Sequence, residues 1–155
     1  MHARGYSLVE MVVVIAIVSI LLTLGTLSFN EYARRYAAEA QTRMIYSELL
    51  KARANALYQR RQTRVKLYEK RFEVYSSTID SVAPIVNQAL SYPITWSQVG
   101  NKVTFDSNGI TTNKTSICLE TDTGSVESVV IHSVRTGIGK KAKEDVCKSE
   151  NITIK

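Results

Sequence analysis

Apolar residues crowd into the first thirty positions of the chain. From Leu8 to Phe29 the sequence reads LVEMVVVIAIVSILLTLGTLSF, apolar on every side except for Glu10. A run of about 22 residues is enough α-helix to cross a hydrocarbon core of about 30 Å, so the pattern predicts a membrane span. Past Asn30 the pattern changes. Helix formers such as Ala33, Ala37, Ala38, Ala40 and Leu57 lie among polar residues up to Gln62, and neither Pro nor Gly occurs between Thr26 and Val82. Ile45, Leu49, Ala52 and Ala56 fall at i, i+4, i+7 and i+11, which places them on one helical face. The spacing predicts one continuous helix, apolar all round over residues 6–29 and amphipathic over 30–62.

After residue 62 the period drops to two. Val65 and Leu67 alternate with charges, Glu69-Lys70 can turn, and Phe72 and Val74 alternate again, predicting a hairpin. Val103 and Phe105 lead into the turn signal Asn108-Gly109, and Ile117 and Leu119 precede Asp122-Thr123-Gly124. Val126 to Val134 is a β-branched run, and Ile152 to Ile154 reads as a short closing strand. Residues Ser76 to Ser97 hold both prolines and little periodicity, and are expected to form a long loop. The class is α+β, with a β-rich domain over 63–155.

Charge and cysteines add direction. Arg4 precedes the apolar run with no acidic residue beside it, which keeps the N-terminus cytoplasmic and sends the rest outward. No small-residue cleavage site follows the run, so the apolar segment is retained. Export makes a Cys118–Cys147 disulfide the expected state; neither cysteine sits in a CxxC pair or a metal-type spacing. The net charge of +6 is concentrated between Arg34 and Arg71 and again from Arg135 to Lys148. Such clusters attract polyanions or anionic headgroups, or form a solvated face. Glu10 is the anomaly, because a carboxylate in an apolar span needs a partner.

The run Gly5-Tyr6-Ser7-Leu8-Val9-Glu10-Met11-Val12-Val13-Val14-Ile15-Ala16-Ile17 resembles the prepilin signature of type IV pilins and type II secretion pseudopilins. The resemblance implies a leader, residues 1–5, cut between Gly5 and Tyr6 by a membrane prepilin peptidase, with methylation of Tyr6. It also gives Glu10 a partner in the amino terminus of a neighbouring subunit, and implies the type IV pilin fold. The stretches Lys51 to Ala56, Arg60 to Leu67, Val103 to Gly109 and Val129 to Ser133 are similar to those of H-type pseudopilins and FimT or FimU minor pilins. Their partners are other pilin subunits, the inner membrane before assembly, and afterwards the filament.

Catalytic chemistry has no foothold. His2 lies in the leader, His132 stands alone in a strand-like run, and no GxSxG, P-loop or paired-carboxylate pattern occurs. A non-enzyme without cofactor or metal is expected. The segment Arg135 to Lys143 looks like a flexible basic loop whose Arg135, Lys140, Lys141 and Lys143 are candidates for holding DNA phosphates. FimT-like proteins linked to DNA uptake carry a glycine-arginine-x-arginine motif near this place. Here Ile138 and Lys140 stand at the arginine positions, so the bidentate phosphate geometry is missing. An uncleaved, membrane-anchored periplasmic domain is the reading from another class. The machine served, pilus, secretion system or competence apparatus, stays open.

Overall fold

The computed structural model describes residues 7–79, 81–112, 114–121, 124–142 and 145–155, with the side chains of 24–28 excepted. Among the described residues one α-helix, α1 (Leu8–Gln59), precedes nine strands. The chain divides into two compact units, Met1–Arg34 and Arg35–Lys155.

In the first unit the sequence works against its own propensity. Val12, Val13, Val14, Ile15, Ile17 and Val18 are β-branched and favour strands in water, yet all are helical. A helix bonds every backbone group within the segment, which is what an apolar surrounding demands. The hydroxyls follow suit: Ser19 Oγ donates to the Ile15 carbonyl at 2.7 Å and Thr23 Oγ1 to that of Ser19 at 2.9 Å.

In the second unit α1 lays its predicted stripe on the core. Ile45, Leu49, Ala52 and Ala56 are buried, and Ala38, Gln41 and Thr42 extend that face toward the N-terminus. The helix ends at Gln59 rather than Gln62. Arg60 adopts a left-handed φ of 49° and Arg61 N reaches back to the Ala56 carbonyl at 3.2 Å. No glycine is available for this cap, so an arginine takes a conformation costing roughly 1 kcal/mol.

Two antiparallel sheets complete the domain. The first contains β1 (Thr63–Tyr68), β2 (Arg71–Tyr75), β3 (Val86–Ala89) and β5 (Lys102–Phe105), in the order β3-β2-β1-β5. The second contains β4 (Ile94–Trp96), β6 (Thr115–Leu119), β7 (Ser128–Ile131), β8 (Thr136–Lys141) and β9 (Ile152–Ile154), in the order β4-β6-β7-β8-β9. The hairpin at Glu69-Lys70 forms as expected, with Val65 opposite Val74 and Leu67 opposite Phe72. These residues join Val103, Phe105, Ile117, Leu119, Val129, Ile131 and the α1 stripe in one core. Each fully buried Leu, Ile, Val or Phe contributes about 1.5–3 kcal/mol.

Two expectations need correcting. The segment Ser76 to Ser97 is not one loop, since β3 and β4 lie within it and enter different sheets. β3 is short and exposed and β4 is three residues long, so neither carries a legible alternation. Nor is the described part of the segment Arg135 to Lys143 a flexible loop. Thr136–Lys141 is strand β8, paired with β7 on one side and β9 on the other. Its glycines are demanded by packing: a Cβ on Gly137 would meet Ile154 Cγ2 at 3.0 Å, and one on Gly139 would meet Ile152 Cγ2 at 2.8 Å.

The turn after β5 shows why its motif has that form. Asp106 Oδ1 accepts from the backbone of Asn108 and Ile110, both at 2.8 Å, and Gly109 takes φ 66°. A Cβ on Gly109 would lie 2.8 Å from Leu57 Cγ, so the turn fits against the end of α1 only without a side chain.

Candidate functional site

The helical surface of the first unit has the composition of an interior. Its large apolar residues from Leu8 to Leu22 are 46–80% exposed. Apolar surface this extensive is unfavourable when left in water. Glu10 is the charged residue of the stretch Leu8–Leu22, in the first turn of α1, where an acidic side chain complements the positive end of the helix dipole. Among the described residues no helix is long and apolar enough to cross a membrane. Within the apolar run the side chains of 24–28 lie outside the described residues, and the sequence there, with Leu24 and Leu27, continues the run to Phe29. Gly5 and Tyr6 lie outside the described residues.

The remaining predicted site residues fall in the second sheet. Cys118 in β6 and Cys147 form the expected disulfide, with Cα atoms 5.9 Å apart. Together with Val130 and Ile152 they make a small second core. Beside it a cavity of about 400 Å³ is lined by Thr95, Glu120, Lys141 and Asp145 among others. Among the described residues, the candidate phosphate ligands Lys140 and Lys141 do not converge. Lys140 and Lys141 are consecutive in a strand and so point to opposite faces. Lys140 Nζ donates to the Gly124 carbonyl at 2.9 Å and Lys141 Nζ to that of Asp145 at 2.8 Å. Arg135 is exposed and accepts at its carbonyl from His132 N at 2.8 Å; Lys143 lies outside the described residues. His132 is half-buried just past β7. Among the described residues no His, Cys, Asp or Glu group is placed to hold a metal ion.

Sequence reading passed over the outer face of the first sheet. Register sets Arg64 opposite Tyr75, Lys66 opposite Glu73 and Tyr68 opposite Arg71. The Arg64 guanidinium stands 4.8 Å over the Tyr75 ring and that of Arg71 stands 4.5 Å over Tyr68. Arg64 is buried and donates to the carbonyls of Thr78 and Ile79 at 2.9 and 3.3 Å, pinning the segment after β2 over this end of the sheet. Tyr75 donates to Glu73 Oε2 at 2.7 Å, and this bond pushes the Tyr75 hydroxyl above its usual range. The signal was present in the sequence: the polar phase of the alternation in β1 and β2 is wholly cationic, acidic or aromatic.

Two side chains of α1 tie the helix to loops. Gln41 pairs doubly with Tyr92, Nε2 donating to its carbonyl at 2.7 Å and Oε1 accepting from its amide at 2.9 Å. Glu39 Oε1 accepts from Ser125 N at 2.8 Å, and hydrogen bonds from Ser125 hold this carboxyl below the usual carboxylate range.

Residues 1–26 match the family described as the prokaryotic N-terminal methylation motif. With that motif at its start, a long N-terminal helix and an antiparallel β domain, the chain is type IV pilin-like, of α+β class. In fold it is similar to the type IV minor pilin FimU of Pseudomonas aeruginosa, seen in two crystal forms. One gives a TM-score of 0.54 at 18% identity, covering 72% of this chain and 92% of FimU. The other gives 0.51 at 18% identity, covering 68% and 92%. No curated protein sequence matches the chain.

Proposed function

We propose that this chain is a minor pilin or pseudopilin subunit. It enters the inner membrane by the apolar half of α1, is cut between Gly5 and Tyr6 by a prepilin peptidase and methylated at Tyr6, and then joins a filament. The observation that carries the reading is the methylation motif running into a helix whose large apolar residues from Leu8 to Leu22 are open all round, with Glu10 as the charge of that stretch. The same surface serves lipid before assembly and neighbouring helices after it, since both are apolar solvents for a helix. In that setting Glu10 and the amine of an adjacent subunit form a pair that fixes register more than it adds stability. The β domain, outside the cytoplasm and closed by the Cys118–Cys147 bond, is the displayed part. The role is structural rather than enzymatic.

DNA uptake through Arg135, Lys140, Lys141 and Lys143 is the weaker reading, because β8 splits Lys140 from Lys141 and each of the two already bonds a carbonyl. The deciding experiment is intact mass after co-expression with a prepilin peptidase. The wild-type chain is expected to lose residues 1–5 and gain one methyl group, and Gly5→Ala to stay uncut. A wild-type chain that stays full length overturns the pilin reading and leaves an anchored periplasmic domain.

A further inference from the structure

The end of the chain is held to the second sheet differently from the rest of the domain. The main core draws its buried residues from Ala38 to Ile131, and the described residues after β8 contribute none to it. On the other face of the second sheet Ser116 stands opposite Val130 and Cys118 opposite Ser128, all four buried. Cys147 and Ile152 pack against Cys118 and Val130 there. The Ser116 and Ser128 hydroxyls have no hydrogen-bond partner, and a buried hydroxyl in that state opposes the closed arrangement. The Cys147 sulfur lies 3.5 Å from the Ser116 carbonyl oxygen, but in a disulfide it has no proton to donate. Hydrogen bonds of residues 145–151 run back into the same stretch of chain. Asp145 N donates to the Ala142 carbonyl at 3.2 Å, Lys148 N and Asn151 Nδ2 to that of Val146 at 2.7 and 3.2 Å, and Lys141 Nζ to that of Asp145 at 2.8 Å. Beyond them β9, three residues long, is the edge of the sheet.

We infer that residues 145–155 form a redox-operated strap, which the Cys118–Cys147 bond holds on the outer face of the second sheet and a dithiol reductant releases while the main core stays folded. Segments with few buried apolar contacts open locally at a free energy well below that of global unfolding. Here the contact is one small patch, and the two partnerless hydroxyls beneath it gain water when the strap lifts. The covalent bond, rather than the packing, therefore keeps the strap closed, by limiting how far a detached segment strays. Reductant has a way in, because the cavity lined by Thr95, Glu120 and Lys141 also touches Cys118 and Cys147. Cys147 is 8% exposed against 1% for Cys118, so attack falls on Cys147. A reductant thiolate bonds to Cys147 Sγ, and Cys118 Sγ leaves with the bonding pair and is protonated. The second thiolate of the reductant then attacks its own sulfur in the mixed disulfide and frees Cys147. The dithiol gives up two electrons and two protons and ends as a disulfide. Release strips β8 of its β9 partner and opens the Ser116–Ser128 face, so the state of the bond sets which surface the domain displays. This inference goes beyond the assembly role and stands or falls separately from processing at Gly5.

The test is amide hydrogen exchange read by mass spectrometry on the full chain in detergent micelles, oxidised and after reduction with dithiothreitol. Reduction is expected to speed exchange across residues 145–155 at least about tenfold, while β1, β2 and β5 keep their oxidised rates. A Cys118→Ala/Cys147→Ala chain is expected to show the same pattern with no reductant present. Ser116→Ala/Ser128→Ala removes the partnerless hydroxyls, and in the reduced state is expected to slow exchange of the strap about tenfold relative to reduced wild type. A disulfide that merely stabilised the whole domain would give no such difference. Unchanged exchange at 145–155 on reduction overturns the proposal. So does a rise shared equally by β1, β2 and β5, which marks global unfolding, or a reduced Ser116→Ala/Ser128→Ala chain as open as reduced wild type.

Discussion

Gly139→Ala separates a paired strand from a flexible loop by the sign of its effect. Gly139 sits in β8 opposite Ser128 of β7 and Ile154 of β9, enclosed on both sides. An added Cβ comes within 2.8 Å of Ile152 Cγ2 and closer still to the Thr153 carbonyl oxygen, which is backbone and cannot swing aside. β9 must therefore move. That movement strains the Ile152 packing against Cys118, Val130 and Cys147, and the hydrogen bond from Lys155 N to the Ile138 carbonyl at 3.0 Å. Overpacking of this kind costs about 1–3 kcal/mol, and a lost ladder bond adds about 1. For a domain of this size the sum lowers the melting temperature by roughly 10 °C. Were Arg135 to Lys143 a flexible loop, the same change would stabilise by about 0.4–1 kcal/mol, through the lost freedom of the unfolded chain. Fluorescence of Trp96, the lone tryptophan and part of the same sheet, reports the transition. Gly137→Ala is the graded comparison, with a smaller loss expected because its nearest neighbour, Ile154 Cγ2 at 3.0 Å, is the end of a half-exposed side chain that can rotate. A Gly139→Ala chain as stable as the wild type refutes the reasoning.

Two further outcomes follow from the ties between α1 and its loops. Gln41→Ala leaves the amide and carbonyl of Tyr92 without their side-chain partner in a part-buried place, and is expected to cost about 1–3 kcal/mol, seen as a lower urea midpoint at unchanged slope; a loss under about 0.5 kcal/mol would mean that water fills the gap. Glu39, whose folded carboxyl is held below its unfolded value chiefly by hydrogen bonds from Ser125, contributes stability that is present above the unfolded value and lost as pH falls through the lowered one. Comparing Glu39→Gln with wild type from pH 7 to 3 should show a gap of no more than about 1 kcal/mol, since the group is half-exposed, closing on the acid side; a gap independent of pH would show that charge plays no part.

Whatever depends on neighbours along the chain is legible in its residues alone. The apolar run with Glu10 is a continuous signal, and the Ile45-Leu49-Ala52-Ala56 stripe and the Val65-Leu67 and Phe72-Val74 hairpin are periodic ones. A helix turn or a pleat converts each directly into a face. The Cys118–Cys147 pairing needed only an exported chain with two cysteines. What the sequence left open was decided between segments distant along it. β3 and β4 are strands because β2 and β6 offer them unpaired edges, and a three- or four-residue run has no period to read. In sequence β8 reads as loose, since glycines signal freedom, whereas β7 and β9 leave no volume for a side chain there. The same holds for the outer face of the first sheet: Lys66 and Lys102 are each ordinary in sequence. Only register sets them opposite one another, because cross-strand distance is a property of pairing and not of chain position.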